Sequence, residues 1–206
     1  MIELILGLPG SGKSLRTTEV IIALLQRKVP VWMNLQLSPA CPFYGHPEIH
    51  YLEVNDGPPV YDPETGKGFW DVVPKGVGII IDEAHQYFDA LDHARLPKGL
   101  SKYLSQHRKQ HHYLVFVTQA LGNIYNRIRR NTAQTTYCED SAQTWPRDQK
   151  IRDIFGNYVA SWFRCFRRTR YAGCELLPAN KLGEVTIPAW EISEQFGWYE
   201  TEQIVG

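Results

Sequence analysis

Residues 7–14 read Gly-Leu-Pro-Gly-Ser-Gly-Lys-Ser and meet the spacing G-x-x-x-x-G-K-[S/T]. Each fixed position has a chemical reason. Glycines let successive backbone N–H groups curl around an anion, and the helix that follows adds the partial positive charge of its first turn. A lysine here reaches the β- and γ-phosphates, and a serine hydroxyl sits on Mg²⁺. At an average glycine usage of roughly 7%, the four fixed positions coincide by chance in about one chain per hundred of this length. The predicted nucleotide-binding set is Gly7, Leu8, Pro9, Gly10, Ser11, Gly12, Lys13, Ser14 and Leu15. No base-reading motif separates ATP from GTP.

A second constellation follows in Ile79-Ile80-Ile81-Asp82-Glu83, an apolar run that ends in two acids. Asp82 can serve Mg²⁺ through water, opposite Ser14, and Glu83 can orient or deprotonate the attacking water. An acid pair of this kind suits hydrolysing, motor-like enzymes better than small-molecule kinases. Asp82-Glu83-Ala84-His85 also spells the box of one helicase group, but those helicases need two tandem nucleotide domains. Phe116-Val117-Thr118-Gln119 closes the next apolar run in polar residues. Gln119 there would lie beside the γ-phosphate, although a strand end followed by a surface turn explains the same letters. Arg129 and Arg130 could reach a neighbouring subunit's γ-phosphate, as could Arg108, but a solvated helix face or a complemented helix C-terminus is the simpler account of any single one.

Elements able to position these groups are legible around them. Ile2–Leu6 is a strand before the loop, and Ser14–Lys28 has Leu15, Val20, Ile21, Leu24 and Leu25 at helical spacing. Strands are predicted over Val29–Asn34, Ile49–Val54, Ile79–Ile81, Tyr113–Val117 and Gln134–Cys138. Helices are predicted over Leu100–Gln110 and Leu121–Arg130. The alternation predicts an α/β fold whose mostly parallel sheet is flanked by helices, with ligands gathered at the carboxyl ends of the strands. Residues 1–140 form the expected nucleotide core and 141–206 a β-rich extension packed on it.

The chain has 206 residues and zero net charge, which hides a strong asymmetry. Residues 1–94 hold 6 Lys/Arg against 12 Asp/Glu, residues 95–170 hold 15 against 4, and residues 171–206 hold 1 against 6. The middle third is as basic as a nucleic-acid-binding segment unless the acidic ends fold back on it. Four cysteines without metal or redox spacing suit reduced cytosolic thiols. The first strand begins at once, leaving no room for a signal peptide, and no apolar run reaches the length of a membrane span. In 158–171, Tyr158, Val159, Trp162, Phe163, Phe166 and Tyr171 interleave with Arg164, Arg167, Arg168 and Arg170. Three readings stay open there: a groove for single-stranded nucleic acid, a face on anionic lipid, or a strand pair with core aromatics and solvated arginines.

These residues together resemble the zonular occludens toxin-like (Zot) family, assembly proteins of filamentous bacteriophage of the gene I product type. The resemblance covers about residues 1–140. It rests on Gly7–Ser14, Asn34, Ile80-Ile81-Asp82-Glu83-Ala84, Gln106-His107-Arg108 and Phe116-Val117-Thr118-Gln119. It implies a core of the additional-strand, catalytic-glutamate type similar to DNA-pumping ATPases. ATP and Mg²⁺ are then the cofactors, with Lys13, Glu83 and Gln119 as catalytic residues. It further implies a homo-oligomeric ring, phage DNA and coat or assembly proteins as partners, and a place on the cytoplasmic face of the bacterial inner membrane. Family members carry a membrane span after the nucleotide domain. This sequence reaches Gly206 without one, so membrane contact is expected only through a span lying outside it. The expected function is an Mg²⁺-dependent ATPase driving phage assembly and export. The alternatives are a nucleic-acid translocase or helicase unrelated to phage export, and a nucleotide-gated scaffold that does not hydrolyse.

Overall fold

The computed structural model describes residues 1–52, 64–91, 96, 99–141, 165–188, 191, 192, 195 and 198. Its elements run β1 (Ile2–Leu6), α1 (Lys13–Gln26), β2 (Val31–Met33), β3 (Ile49–Tyr51), α2 (Phe69–Val72), β4 (Gly78–Ile81), α3 (Leu100–Gln106), β5 (Tyr113–Thr118), α4 (Asn126–Asn131), β6 (Gln134–Asp140), β7 (Cys165–Ala172) and β8 (Lys181–Pro188). The strands join one sheet in the order β3-β2-β4-β5-β1-β6-β7-β8. The first six are mutually parallel, and β7 and β8 add to β6 as antiparallel partners. β5 lies between the strand that leads into the phosphate loop and the strand that ends in the acids. This is an α/β fold with helices on a mostly parallel sheet, as the alternation of elements predicts.

The central strands are apolar along their whole length because both faces are covered. Ile5, Ile80, Val115 and Val117 pack under α1 with Val20, Ile21 and Leu24. On the other face Leu4, Ile79, Leu114 and Phe116 meet Phe69, Phe88, Leu104 and Ile128. Burying each such side chain stabilises the fold by roughly 1.5–3 kcal/mol. Glu3 breaks the apolar pattern of β1, at 0% exposure. It accepts hydrogen bonds from Arg16, Tyr113 and Thr136, which tie α1, β5 and β6 to β1.

Several element boundaries differ from the sequence reading, each for a local reason. α1 stops at Gln26 because the N–H groups of Arg27, Lys28 and Val29 turn back onto Leu24 and Leu25 carbonyls, with Lys28 at φ 58°. β2 therefore starts at Val31, after Pro30. The helix predicted to Gln110 is α-helical only to Gln106 and tightens into a 3₁₀ turn over His107–Gln110. Leu121–Asn123 forms its own 3₁₀ turn before α4, because Ile124 is extended and bridges to Asp89. β6 runs on to Asp140, two residues beyond its predicted end, because β7 pairs with it along its full length. Val54 and residues 158–164 lie outside the described residues.

Candidate functional site

The parallel register brings the predicted chemistry to one edge. Leu6, at the end of β1, pairs with Thr118, at the end of β5, so Gly7 and Gln119 emerge side by side. Ile81 pairs with Phe116, which sends Asp82 and Glu83 out at the same edge. Two glycines of the loop are required by its shape. A Cβ on Gly7 would stand 2.3 Å from Ser11 Oγ and 2.4 Å from the Cys138 carbonyl oxygen. Gly12, at φ 88°, has Phe166 Cδ1 2.8 Å from where a Cβ would be. Phe166 belongs to β7 and packs with Leu15 and Ile192, so the antiparallel extension supports the loop from the side.

Lys13 folds back over the loop and donates from Nζ to the Leu8 carbonyl at 3.1 Å. Burial lowers its pKa, against the opposing pull of Glu83 and Asp82. Burial likewise raises Asp82 to about 6, despite a hydrogen bond from the Glu83 N–H and the nearby Lys13 charge. Partners of opposite sign would undo both shifts: an anion at Lys13 and a cation at Asp82, the two halves of a metal-bound triphosphate. Among the described residues no group of three or more His, Cys, Asp or Glu could hold a metal. Ser14 and Asp82 offer hard oxygen ligands only, and Mg²⁺ suits such a site because it takes its remaining ligands from water and phosphate.

Asn34 continues β2 past its last residue. Its side chain acts as one more rung of the sheet, accepting from Asp82 N–H at 2.6 Å and donating to the Asp82 carbonyl at 3.0 Å. The Tyr87 phenol lies near Asn34, and burial raises its pKa. Glu83 holds a left-handed backbone at φ 47°, ψ 42°, a conformation costing a residue with a side chain roughly 1–2 kcal/mol. That turn sets His85 Nδ1 3.3 Å from Glu83 Oε2. Sequence reasoning took Asn34 from the family pattern but assigned no role to Tyr87, His85 or Thr118. Their partners are on other strands or across a turn, so spacing gives no signal. Cys138 borders Gly7, but burial pushes its thiol up to about 12, which keeps it protonated and unreactive.

The three arginines proposed to act on a neighbour are not at this edge. Burial, and after it the nearby Arg108 charge, lowers the pKa of the Met1 ammonium, which places Arg108 at the start of β1. Arg129 and Arg130 close α4 just before Ala133, whose N–H bonds the Ile2 carbonyl. All three stand at the amino ends of the strands. In the Arg-aromatic segment, Phe166 is core and Arg168 is buried in an ion pair with Glu19 of α1. Arg167 pairs at 3.7 Å with Glu139 of β6, and Arg170 is exposed. The expectation of solvated arginines thus fails at Arg168, because its strand face lies against α1.

Comparison with solved structures shows the same fold elsewhere. The N-terminal domain of zonular occludens toxin from Neisseria meningitidis superposes with a TM-score of 0.59 at 16% identity, over 97% of this chain and 98% of that one. The genome packaging NTPase B204 of Sulfolobus turreted icosahedral virus 2, in complex with AMP, gives 0.56 at 11% identity, over 90% and 96%. Its complex with ATP-gammaS gives 0.53 at 11%, over the same shares. No curated protein matches the sequence. The family model for zonular occludens toxin (Zot) matches residues 1–144, a span that contains the loop, Asn34, the acid pair and Gln119. The chain belongs to the Zot family.

Proposed function

We propose that this chain is an Mg²⁺-dependent ATPase that powers the assembly and export of filamentous phage at the bacterial inner membrane. The observation that carries the reading is the convergence of Gly7–Ser14, Asp82 and Glu83 at one sheet edge, with Lys13 and Asp82 shifted in opposite directions by burial. Family membership and the nucleotide complexes of a structurally similar packaging NTPase support it.

In this reading the amides of residues 7–15 and Lys13 bind the phosphates, Ser14 and Asp82 hold Mg²⁺, and Asn34 fixes the Asp82 backbone. Mg²⁺, when bound, neutralises phosphate charge. Glu83 orients the attacking water, and Gln119 senses the γ-phosphate at the end of β5. Arg108, Arg129 and Arg130 can act only across a subunit boundary, which suits a homo-oligomeric ring. Residues 141–206 are an extension of the core, with β7 bracing the loop through Phe166. Phage DNA and coat or assembly proteins are the partners, at the cytoplasmic face of the membrane. Among the described residues no helix is long and apolar enough to cross a membrane, so attachment would use a segment outside them.

The test is made in a bacterium producing the phage that encodes the protein. Lys13→Ala in the full gene should abolish released phage while phage DNA still accumulates inside the cell. Undiminished release would refute the export role.

A further inference from the structure

Glu83 leaves β4 through a left-handed turn, and the 3₁₀ turn Ala84–Gln86 that follows carries His85 back toward it. His85 Nδ1 lies 3.3 Å from Glu83 Oε2 and 3.4 Å from Thr118 Oγ1. Glu83 Oε2 is shielded from solvent and has no hydrogen-bond partner. The His85 imidazole, 3.3 Å away, is placed to supply one. Thr118 is the last residue of β5, at 0% exposure, and immediately precedes Gln119. One ring nitrogen therefore faces both the acid at the end of β4 and the hydroxyl at the end of β5.

We propose that His85 is a positioning residue for Glu83, fixed in its turn by Thr118, so that the aim of the carboxylate follows the end of β5. The inference rests on Glu83 being the water-orienting group. A buried carboxylate oxygen with no donor can swing about its side-chain torsions, and a donor on Nδ1 removes that freedom. Thr118 Oγ1 limits rotation of the ring. Displacement of the β5 end by a phosphate touching Gln119 then moves the imidazole and, with it, Glu83. Hydrolysis is thereby linked to the strand that separates the loop strand from the acid strand. Misplacing a reacting group by about 1 Å can cost on the order of 10²-fold in rate, so a loose Glu83 is a slow one.

Steady-state ATP hydrolysis with Mg²⁺ tests this in the native chain and in His85→Ala, His85→Asn, Thr118→Val and Glu83→Gln. His85→Ala should lower kcat about tenfold or more, with KM and ATP affinity within about twofold of native. His85→Asn places an amide N–H near the Nδ1 position and should recover most of the loss. Adding His85→Ala to Glu83→Gln should cost nothing further, because the histidine acts through the glutamate. A native kcat in His85→Ala, or full additivity in the double variant, overturns the proposal. A readout without turnover keeps failure of the ATPase reading separate. The ¹⁵N ring signals of His85, assigned by their loss in His85→Asn, should shift in Glu83→Gln and in Thr118→Val. Unmoved ring signals in both variants refute the link even if ATP is hydrolysed. Shifted signals in a chain with no turnover keep the link and refute only the hydrolysis.

Discussion

Lys13 and Asp82 carry opposite charges into the same poorly solvated edge, and burial shifts the pKa of each toward its neutral form. Lys13→Ala should remove most triphosphate affinity and leave the fold intact, because the loop is shaped by Gly7 and Gly12 rather than by the ammonium. Calorimetric titration with ATP checks this, and unchanged affinity would contradict it. Asp82 makes a prediction of different sign. Its folded pKa of about 6 lies above the ordinary 3.8. Between those values the folded chain keeps a proton that the unfolded chain has released, so stability falls as pH rises through that window. Asp82→Asn lacks that fall. Without metal or nucleotide it should match the native chain near pH 4 and exceed it by up to about 3 kcal/mol above pH 6. Urea unfolding at both pH values measures the difference, and equal stability at high pH would show that Asp82 is well solvated. The loop and the acid pair were legible in the sequence because each is one contiguous string whose chemistry is local. Tyr87, His85 and Thr118 were not, because their partners come from tertiary packing.

Among the elements, β7 is the one whose role the sequence least revealed. Alternation in 165–172 suggests a strand, but nothing local says that Phe166 and Arg168 face α1 and the phosphate loop. That follows from the register with β6, in which Cys138 pairs with Arg168 and Asp140 with Phe166. The parallel core was easier to read, because runs such as Ile79–Ile81 and Leu114–Val117 are buried on both faces and need apolar residues throughout. Their ends were set by turns: Lys28 at positive φ cut the first helix short, and Ile124 split the predicted 121–130 helix. Phe166→Ala should open a cavity beside Gly12 and destabilise the fold by about 3–5 kcal/mol. Because the cavity lies against the loop, ATP affinity should also fall in the variant at a temperature where it stays folded. A loss of stability with native affinity would show that β7 braces the core but not the loop. Arg168, buried with one nitrogen on Glu19, belongs to the same brace and is no longer a surface cation.

At the scale of the whole molecule, the basic middle third is partly neutralised within the fold. Arg168 pairs with Glu19 from the acidic first part of the chain, which offsets some of the charge, while Arg167 pairs with Glu139 inside the basic segment itself. Arg170 stays exposed, and Arg167 is half-exposed on the same strand. Replacing both by Ser should weaken binding to single-stranded DNA and flatten the slope of log affinity against log salt by about 1.4, at about 0.7 for each phosphate no longer neutralised. An unchanged slope would remove these two from any DNA-binding face. The central claim, that this chain hydrolyses ATP with Glu83 orienting the water, is tested most directly by phosphate release. Native protein and Glu83→Gln are compared at saturating ATP and Mg²⁺, with ATP affinity measured in parallel. The account predicts Mg²⁺-dependent release by the native chain and about 10²-fold less by Glu83→Gln, at equal affinity. Equal rates, or ATP binding without any native turnover, would contradict it.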